Sequence, residues 1–502
     1  MVEYSSGVKV ARGASYLLVQ GLASNLVGVV YFAVAARLLS VADLGRLSAL
    51  GLLSTLFVTA GSLALPSAVV KYVSEYMARS GVEGAKGVFW SVIRLGTGLA
   101  AGASILCFAA SGPLASYLLG GGEYAFLLSL LSLDVFLAML LPFFLGALQG
   151  LQLFGRMAGV SLLNNVLRFS VAILGLWSGL GLVGVVYGWI VGDLVAMILS
   201  VLVLRVFVGK AKDQSLGPLL HYSAPLYVSG LLNYFLNSTD RYLILLIAGQ
   251  AVLGAYTPAV TAFGVLGIVT TAMGNALFPK LSEMFGKMGP KSLGEVAKAS
   301  SRYVFLVYVP LAFGLAATAR PVMALFVGEG FMESALPLVV LCMSSAAACG
   351  SVVVNNVLLT MGRTKIFAIT GLVSLAADIG ISFLLIGVLG ATGAALARAG
   401  VIVASFAIPA WILWRAFGQG VDWAAFTNSF TASAIMALAV VLAQLVWPNK
   451  LLLLLYAALG GVVYLMALRA LRALNNDDFE LLRGFIPARA HMLVNLAQKT
   501  LT

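Results

Sequence analysis

Long apolar stretches recur along nearly the whole chain, and they restrict its fold more than any other feature. A helix needs about 20 predominantly apolar residues to cross a hydrocarbon core of roughly 30 Å. Hydrophobic residues make up 61% of the 502 positions and charged residues only 10%, which no soluble globular domain shows. The sequence therefore predicts an all-α polytopic membrane protein with about fourteen transmembrane helices, at residues 13–37, 47–66, 88–110, 124–148, 157–178, 181–205, 219–247, 255–278, 301–318, 334–360, 365–387, 390–414, 428–447 and 450–471.

The basic residues are distributed unevenly between the two sides of the predicted bundle. Of the 30 Lys and Arg, 23 fall at the amino terminus, in the even-numbered loops or at the carboxyl terminus. The opposite side has only Arg37, Arg46, Arg320 and Lys450. Because cytoplasmic loops carry an excess of Lys and Arg, both termini are predicted to be cytoplasmic, in a multi-pass protein of the cell membrane. The net charge of +12 then reflects topology and attraction to anionic lipid headgroups, not nucleic-acid binding.

The chain repeats itself at an offset close to 208 residues. Each copy contains an even number of predicted helices, so the copies have the same orientation and are expected to be related by a pseudo-twofold axis along the membrane normal. The matching positions, in chain order, are Gly45 with Gly254, 72–81 with 280–289, Arg94 with Arg302, Pro113 with Pro321, Gly120 with Gly328, Gly122 with Gly330, Gly181 with Gly390 and Gly184 with Gly393.

This repeat predicts the domain organisation. The predicted parts are an N-terminal six-helix lobe (1–206), a cytoplasmic linker (207–218), a C-terminal six-helix lobe (219–415), helices thirteen and fourteen (416–474) and a cytoplasmic tail (475–502). The inward segments 68–87 and 279–300 are assigned to loops, each containing a Ser-Glu stretch that is predicted to continue the preceding helix as an amphipathic surface piece. The tail is predicted to form a cytoplasmic or interfacial helix.

The residue sets that common enzymes and metal sites need are missing from the sequence. It has no GxxxxGK[ST] phosphate loop, and its two histidines, His221 and His491, belong to no cluster with metal-ligand spacing. A membrane glycosyltransferase would need carboxylates in a sizeable outer loop, whereas the longest outer loops are only about 111–123 and 319–333. The sequence therefore favours transport over catalysis and predicts neither a cofactor nor a metal.

A few ionisable residues are predicted to lie at membrane depth, where a charge costs about 2.5–3.5 kcal/mol at a helix centre. They are Asp134, Arg168, Asp193, Asp240, Arg241, Asp378 and Arg398. Arg168 and Asp193 join helices five and six, and Asp378 and Arg398 could join the corresponding helices eleven and twelve with the signs exchanged. Because pairing relieves the cost of burial, we predict an ion pair within each lobe. Whether these charges serve structure or coupling stays open.

The segment 221–256 begins as an apolar helix and then carries adjacent opposite charges at Asp240 and Arg241. Asn233 and Asn237 lie one and two turns earlier on nearly the same face. Two interpretations remain open from the residues alone. The charged residues either hold helices together or face a wet, ligand-binding cavity.

Several short motifs give the chain a resemblance to a known family. Residues 36–45 (ARLLSVADLG) resemble a turn of the polysaccharide and O-antigen flippases, and Tyr222, Pro225, Asp240, Arg241, Gly254 and Tyr256 resemble their Y-x-x-P…D-R…G-x-Y pattern. Residues 321–330 and 361–365 resemble two further landmarks. The chain departs from the pattern near Ser40, where Gly is usual, and at Arg46, where an apolar residue is common.

The resemblance implies membership of the multidrug/oligosaccharidyl-lipid/polysaccharide (MOP) exporter superfamily, whose MATE-like fold has two six-helix lobes around a cavity lined by helices one, two, seven and eight. It implies that the protein flips lipid-linked oligosaccharide or polysaccharide precursors to the outer leaflet. The implied substrate-binding residues are Gln20 and Asn25 on helix one, Asn233, Asn237, Asp240 and Arg241 on helix seven, Asn275 on helix eight, and Arg37 and Arg46 at the outer mouth. Expected partners are the lipid-linked saccharide and membrane lipids, with Na⁺ or H⁺ as the coupling ion if there is one, and a monomer is expected.

Two alternatives remain. A cation-coupled multidrug or small-molecule exporter of the same fold usually holds an acidic residue in helix one, and residues 13–37 contain none. A membrane saccharide polymerase or ligase is the other alternative. The sequence does not specify the sugar, the carrier lipid or the coupling ion.

Overall fold

A computed structural model describes residues 2–207, 209, 214–288, 291–418 and 420–473. Within these ranges the regular secondary structure is helical throughout, with no strand. The chain divides into two compact units, Met1–Gly254 and Ala255–Thr502. The predicted tail at 475–502 lies outside the described residues.

The helices of the first unit are α1 (Val2–Leu38), α2 (Val41–Gly61), α3 (Leu65–Ala109), α4 (Ser111–Leu114), α5 (Ala125–Gly150), α6 (Phe154–Trp177), α7 (Gly181–Val203) and α8 (Gly217–Ile247). Helix α9 (Gly249–Met288) begins in the first unit and continues into the second. The second unit then contains α10 (Lys291–Ala317), α11 (Ala319–Phe326), α12 (Ala335–Ala348), α13 (Ser351–Thr360), α14 (Thr364–Phe417), α15 (Trp423–Val446) and α16 (Leu453–Ala470).

Twelve of the described helical segments are long and apolar enough to cross a membrane. One of them, Ile369–Arg415, covers most of two predicted spans, since α14 is interrupted at Gly390 by a conformation of φ 54° and ψ −129° that suits glycine alone. The predicted span at 219–247 corresponds to α8, which lies outside the twelve. All fourteen predicted stretches therefore lie on helices, and the all-α polytopic fold class is confirmed.

The two basic inward segments assigned to loops are helical almost throughout. Residues 68–87 lie within α3, which begins at Leu65 and is interrupted only at Gly81 (φ 68°). Most of the described part of 279–300 belongs to α9 and α10. In the second copy the Ser-Glu stretch continues the preceding helix, as predicted. In the first copy it does not, because Leu63 and Ala64 adopt left-handed conformations that end α2 before α3 starts.

Close helix packing in the first unit depends on small residues at four-residue spacing. A β-carbon added to Gly146 or Gly150 of α5 would lie 3.0 or 2.9 Å from a backbone carbonyl oxygen of α3. On α7, a β-carbon at Gly188 would meet the backbone of α6, and one at Gly192 would lie 2.8 Å from the Arg168 side chain. Glycine permits these approaches, and the α6–α7 contact brings Arg168 next to the residue that follows Gly192, which is Asp193.

Tyrosine hydroxyls of helix α8 donate hydrogen bonds to backbone carbonyls of α2. Tyr234 and Tyr242 both donate to the backbone carbonyl oxygen of Leu52, at 2.7 and 2.9 Å, and their hydroxyls are 2.5 Å apart. Nearer the start of α8, Tyr227 donates to the Ala60 carbonyl at 3.0 Å. These bonds explain why α8 counts with the first compact unit here. The predicted lobe boundaries, which place this helix in the C-terminal lobe, stay a prediction.

In the second unit, α15 and α16 pack on α10 through polar side chains that reach backbone carbonyls. Ser429 of α15 donates to the Phe305 carbonyl at 2.8 Å, and Tyr464 of α16 donates to the Leu306 carbonyl at 2.9 Å. Near the end of α15, Gln444 donates to the Ala317 carbonyl at 3.0 Å. The two C-terminal helices outside the repeat are therefore an integral part of the second unit.

Candidate functional site

A continuous polar ladder runs along the exposed side of α8. Asn237 donates its side-chain amide to both the backbone and the side-chain oxygens of Asn233, at 2.8 and 2.9 Å. One turn later, Nη2 of Arg241 donates to the Asn237 carbonyl at 3.0 Å and to Ser238 Oγ at 3.2 Å. Residues at four-residue spacing share a helix face, so three of the predicted binding residues form one stripe.

The guanidinium of Arg241 is held by its own helix rather than by a neighbouring carboxylate. In the part of the chain that the structure describes, its side-chain hydrogen bonds all run from Nη2, and its Nε is buried without a partner. These bonds leave the Nη1 donors unused, and Nη1 can bind an anion.

Asp240 lies about 100° around the helix axis from Arg241 and is completely buried. Its Oδ1 accepts a hydrogen bond from the Arg241 backbone amide at 2.9 Å. The two adjacent charges therefore occupy different environments: the carboxylate inside the packed unit, and the guanidinium on the half-buried polar face.

The orientation of the Asn233–Asn237 face depends on two tyrosines that were not predicted from the sequence as part of the site. Tyr234 and Tyr242 both bind α2 at the Leu52 carbonyl. These bonds fix the rotation of α8 against α2, and Asn233 and Asn237 stay exposed. Eight residues correspond to about 2.2 helical turns, so the two tyrosines are about 80° apart around the axis, and their spacing does not mark them as donors to one acceptor.

The predicted residues of α1 lie on a helix that is largely exposed within the first unit. Gln20 donates to Ser24 Oγ at 3.1 Å, and Asn165 of α6 donates to the same hydroxyl at 3.0 Å. Asn25 is exposed, and so is Arg37 near the end of the helix. Asn275, on the second-unit part of α9, is also exposed.

Arg46 is engaged in structural contacts at the start of α2. It forms an ion pair with Asp43 at 2.7 Å, donates from Nε to the Leu119 carbonyl at 3.1 Å and lies 4.4 Å from the centre of the Tyr124 ring. Ser40 caps the same helix by accepting from the Asp43 amide at 3.1 Å, in an extended conformation (φ −67°) that does not require glycine. This explains how the chain tolerates both departures from the family pattern.

Two buried aspartates of the first unit approach Arg168. Its Nη1 lies 3.4 Å from Asp193 Oδ1, as the predicted pairing required, and its Nη2 lies 3.8 Å from Asp134 Oδ1. The guanidinium carbon is 4.8 Å from the centre of the Trp189 ring. The sequence included Asp134 among the membrane-depth charges but did not predict that it would join this pair.

The corresponding charges of the second unit lie on the two halves of α14. Asp378 is buried and its Oδ1 accepts from Ser382 Oγ at 3.4 Å, whereas Arg398 is half-buried beyond the break at Gly390. The ion pair between Asp378 and Arg398 stays a prediction.

Comparison with known proteins places this arrangement in a family. A family of proteins described as "polysaccharide biosynthesis protein" matches residues 34–336. The probable low-salt glycan biosynthesis flippase Agl15 of Haloferax volcanii is 22% identical over 279 residues, which cover 56% of this chain. The match spans 58% of that relative's length.

Two solved structures share the fold across most of the chain. The lipid II flippase MurJ in an inward closed conformation has a TM-score of 0.70 and 14% identity, covering 90% of this chain and 98% of its own. An inward-facing multidrug resistance MATE family transporter of the MOP superfamily has a TM-score of 0.61 and 14% identity, covering 83% and 95%. With the family match over more than half of its length, the chain belongs to the polysaccharide biosynthesis protein family and has a MATE-like fold.

Proposed function

We propose that this protein moves lipid-linked oligosaccharide or polysaccharide precursors from the inner to the outer leaflet by alternating access. The observation that carries the proposal is the ladder of Asn233, Asn237 and Arg241 on the exposed face of an otherwise apolar helix. The family match and the relative named as a probable glycan biosynthesis flippase support it.

The chemistry of the substrate explains why such a ladder is useful. A phosphate or pyrophosphate headgroup carrying sugars cannot cross the hydrocarbon core without a polar path, since the core offers it no hydrogen bonds. A guanidinium stays charged within the membrane and can hold two phosphate oxygens at once. The neighbouring amides donate to and accept from sugar hydroxyls. Arg241 therefore binds the anionic group, while Asn233 and Asn237 contact the saccharide.

The other predicted residues have supporting roles in this proposal. Gln20, Asn25 and Asn275 extend the polar surface, and Arg37 attracts the anion at the outer mouth. Asp240 orients the segment that carries Arg241 through the backbone bond at 2.9 Å. Arg46, engaged with Asp43 and Leu119, holds the outer end of α2.

In this proposal the protein is a transporter and not an enzyme. It is a monomer in the cell membrane, with both termini in the cytoplasm. The headgroup leaves with its negative charge, and an inside-negative potential favours this by about 2.3 kcal/mol per charge per 100 mV. Coupling to Na⁺ or H⁺ adds to this drive.

A reconstitution experiment tests the proposal. The purified protein is placed in vesicles that contain a fluorescent polyprenyl-pyrophosphate saccharide, and the fraction accessible to a membrane-impermeant quencher is followed over time. We expect faster exposure of the inner pool than in protein-free vesicles, with no faster movement of a labelled phosphatidylcholine. Export of a cationic dye without saccharide flipping would favour the multidrug exporter and contradict the proposal.

A further inference from the structure

The charges at the centre of the first unit do not balance. Asp134 of α5 and Asp193 of α7 both approach Arg168 of α6, at 3.8 and 3.4 Å. Both aspartates are almost completely buried. Two buried carboxylates thus share one guanidinium, and the fully ionised group has one uncompensated negative charge.

The same group contains polar atoms without hydrogen-bond partners in the described part of the chain. One oxygen of each carboxylate accepts a hydrogen bond. Asp134 Oδ2 accepts from Ser54 Oγ at 2.9 Å, and Asp193 Oδ1 accepts from Asn164 Nδ2 at 2.8 Å. The other two oxygens, Asp134 Oδ1 and Asp193 Oδ2, are buried and accept no hydrogen bond. Asp134 Oδ1 has only the 3.8 Å ion contact with Arg168.

Two neutral side chains lie beside the same group. The hydroxyl of Tyr31 on α1 and the indole nitrogen of Trp189 on α7 are both buried and lie close to each other, so they do not add to the unmatched atoms. The Trp189 ring lies against the Arg168 guanidinium. Each buried polar group left unmatched costs about 1–3 kcal/mol, so the two carboxylate oxygens beside one guanidinium point to a ligand.

We propose that Asp134, Arg168 and Asp193 form a site that binds one proton. A metal cation placed between the carboxylates would also lie against the guanidinium, and the repulsion between like charges in a low-dielectric site is large. A proton needs no such space, because it adds directly to one carboxylate oxygen. It also removes the single excess charge of the group.

The binding step is a simple acid–base equilibrium. A hydronium ion of the aqueous phase transfers its proton to Asp134 Oδ1 or Asp193 Oδ2. One O–H bond of hydronium breaks, one forms on the carboxylate, and water is left behind. Arg168 then pairs with the carboxylate that stays ionised. The other titratable side chains beside the group are Tyr31 from α1, which lies near Arg168, and Cys107 from α3, which lies near Asp134.

In the fully ionised group Arg168 contacts both α5 and α7. After proton binding it pairs with the aspartate of one of these helices only. The existence of the site does not depend on saccharide flipping, but its use to drive transport rests on the proposed function. In that use, an inward proton gradient would accelerate outward movement of the headgroup.

Infrared difference spectroscopy on the full-length protein in lipid tests the site directly. Acidification from mildly alkaline to mildly acidic pH is expected to produce the C=O stretch of one protonated carboxyl group. Asp134→Asn and Asp193→Asn should each abolish this band, because the remaining aspartate balances Arg168 one to one. If one variant fails to fold, the other decides. Asp43→Asn removes another arginine-paired aspartate, at 2.7 Å from Arg46, and should keep the band.

Other outcomes would overturn the proposal. The band could persist in both variants, or it could be absent from the unmodified protein. A Na⁺-dependent rise in thermal stability that Asp134→Asn removes would identify a metal-ion site instead. A pH gradient across the reconstituted vesicles should accelerate flipping by the unmodified protein and have no effect on Asp134→Asn. Loss of the band with no flipping by any form would retain the proton site and contradict the proposed function instead.

Discussion

Gly45 at the start of α2 and Gly254 near the start of α9, which occupy equivalent positions in the two sequence repeats, lie directly against each other. A β-carbon on Gly45 would be 2.9 Å from the Gly254 amide nitrogen, and one on Gly254 would be 3.0 Å from the Gly45 amide nitrogen. Each would also collide with a carbonyl oxygen, that of Gln250 or Val41 respectively. Both sides of the contact are therefore built in the same way from equivalent residues.

We expect Gly45→Ala to destabilise the protein by about 1–3 kcal/mol, because the added methyl group meets backbone that cannot rotate away. Gly51→Ala on the same helix is the matched control, since nothing lies within 4 Å of the β-carbon there. That change should be neutral or stabilising by up to about 1 kcal/mol. Thermal unfolding in detergent compares the two variants. Equal unfolding temperatures for both would show that α2 and α9 do not meet at Gly45.

The contact between Arg168 and Asp193 predicts a coupled effect on stability. Removing Arg168 leaves Asp193 as a buried charge without its counterion, which costs about 3–5 kcal/mol where pairs are fully enclosed. Arg168 is 23% exposed on its side chain, so the lower end of that range is expected for Arg168→Ala. Asp193→Ala should destabilise the protein less, because Arg168 still pairs with Asp134. The double variant should be more stable than the sum of the single losses predicts, by about 1–3 kcal/mol. Strict additivity would mean that the two residues do not interact.

The two tyrosines that share the Leu52 carbonyl predict a different kind of coupling. Tyr234→Phe or Tyr242→Phe alone should cost little, since the other hydroxyl still donates to that oxygen. Together they should cost more than the sum of the two, because this attachment of α8 to α2 is then lost. A single hydrogen bond contributes about 0.5–1.5 kcal/mol. Tyr227→Phe, which removes a separate bond to Ala60, should add independently to either single variant in thermal unfolding.

The orientation of the chain is testable by labelling single cysteines in intact cells. The cysteine of Ser5→Cys should react only from the cytoplasm, and those of Gly121→Cys and Gly328→Cys only from outside. The charge asymmetry and the parallel repeat predict these sides. Both glycines lie in the turns that precede helices α5 and α12. Labelling of Gly121 and Gly328 from opposite sides would contradict the parallel repeat.

The sequence predicted those parts of the fold that depend on local pattern. Apolar runs located every long helix, and the break at Gly390 was visible because two predicted spans met there. The sequence predicts a basic inward loop at 68–87 whose Ser-Glu stretch is an amphipathic helical piece, whereas the whole segment lies within α3. An amphipathic segment forms a helix as readily as an apolar one when one side is buried. Charge indicates where a segment lies more reliably than whether it is helical.

The candidate site was predictable only where residue type was sufficient. Arg168 and Asp193 could be paired because few charges occur at membrane depth and the costs of burial favour pairing. The approach of Asp134 depends on how α5 packs against α6 and α7, which no spacing in the sequence reveals. The same is true of the bonds from Tyr234 and Tyr242 to Leu52, since their acceptor is a backbone carbonyl that every residue possesses.

The substrate role of Arg241 is tested most directly by the rate of flipping per folded protein in reconstituted vesicles. Arg241→Ala should abolish flipping while folding and membrane insertion stay intact, and Arg241→Lys should restore only part of the rate, because an ammonium group cannot hold two phosphate oxygens in a planar fork. Asn233→Ala and Asn237→Ala should be milder, each losing about 0.5–1.5 kcal/mol. Arg415→Ala, which removes an arginine packed 5.4 Å from the Trp411 ring centre in the second unit, controls for loss of positive charge. A normal rate for folded Arg241→Ala protein would contradict the assignment of this residue to the headgroup.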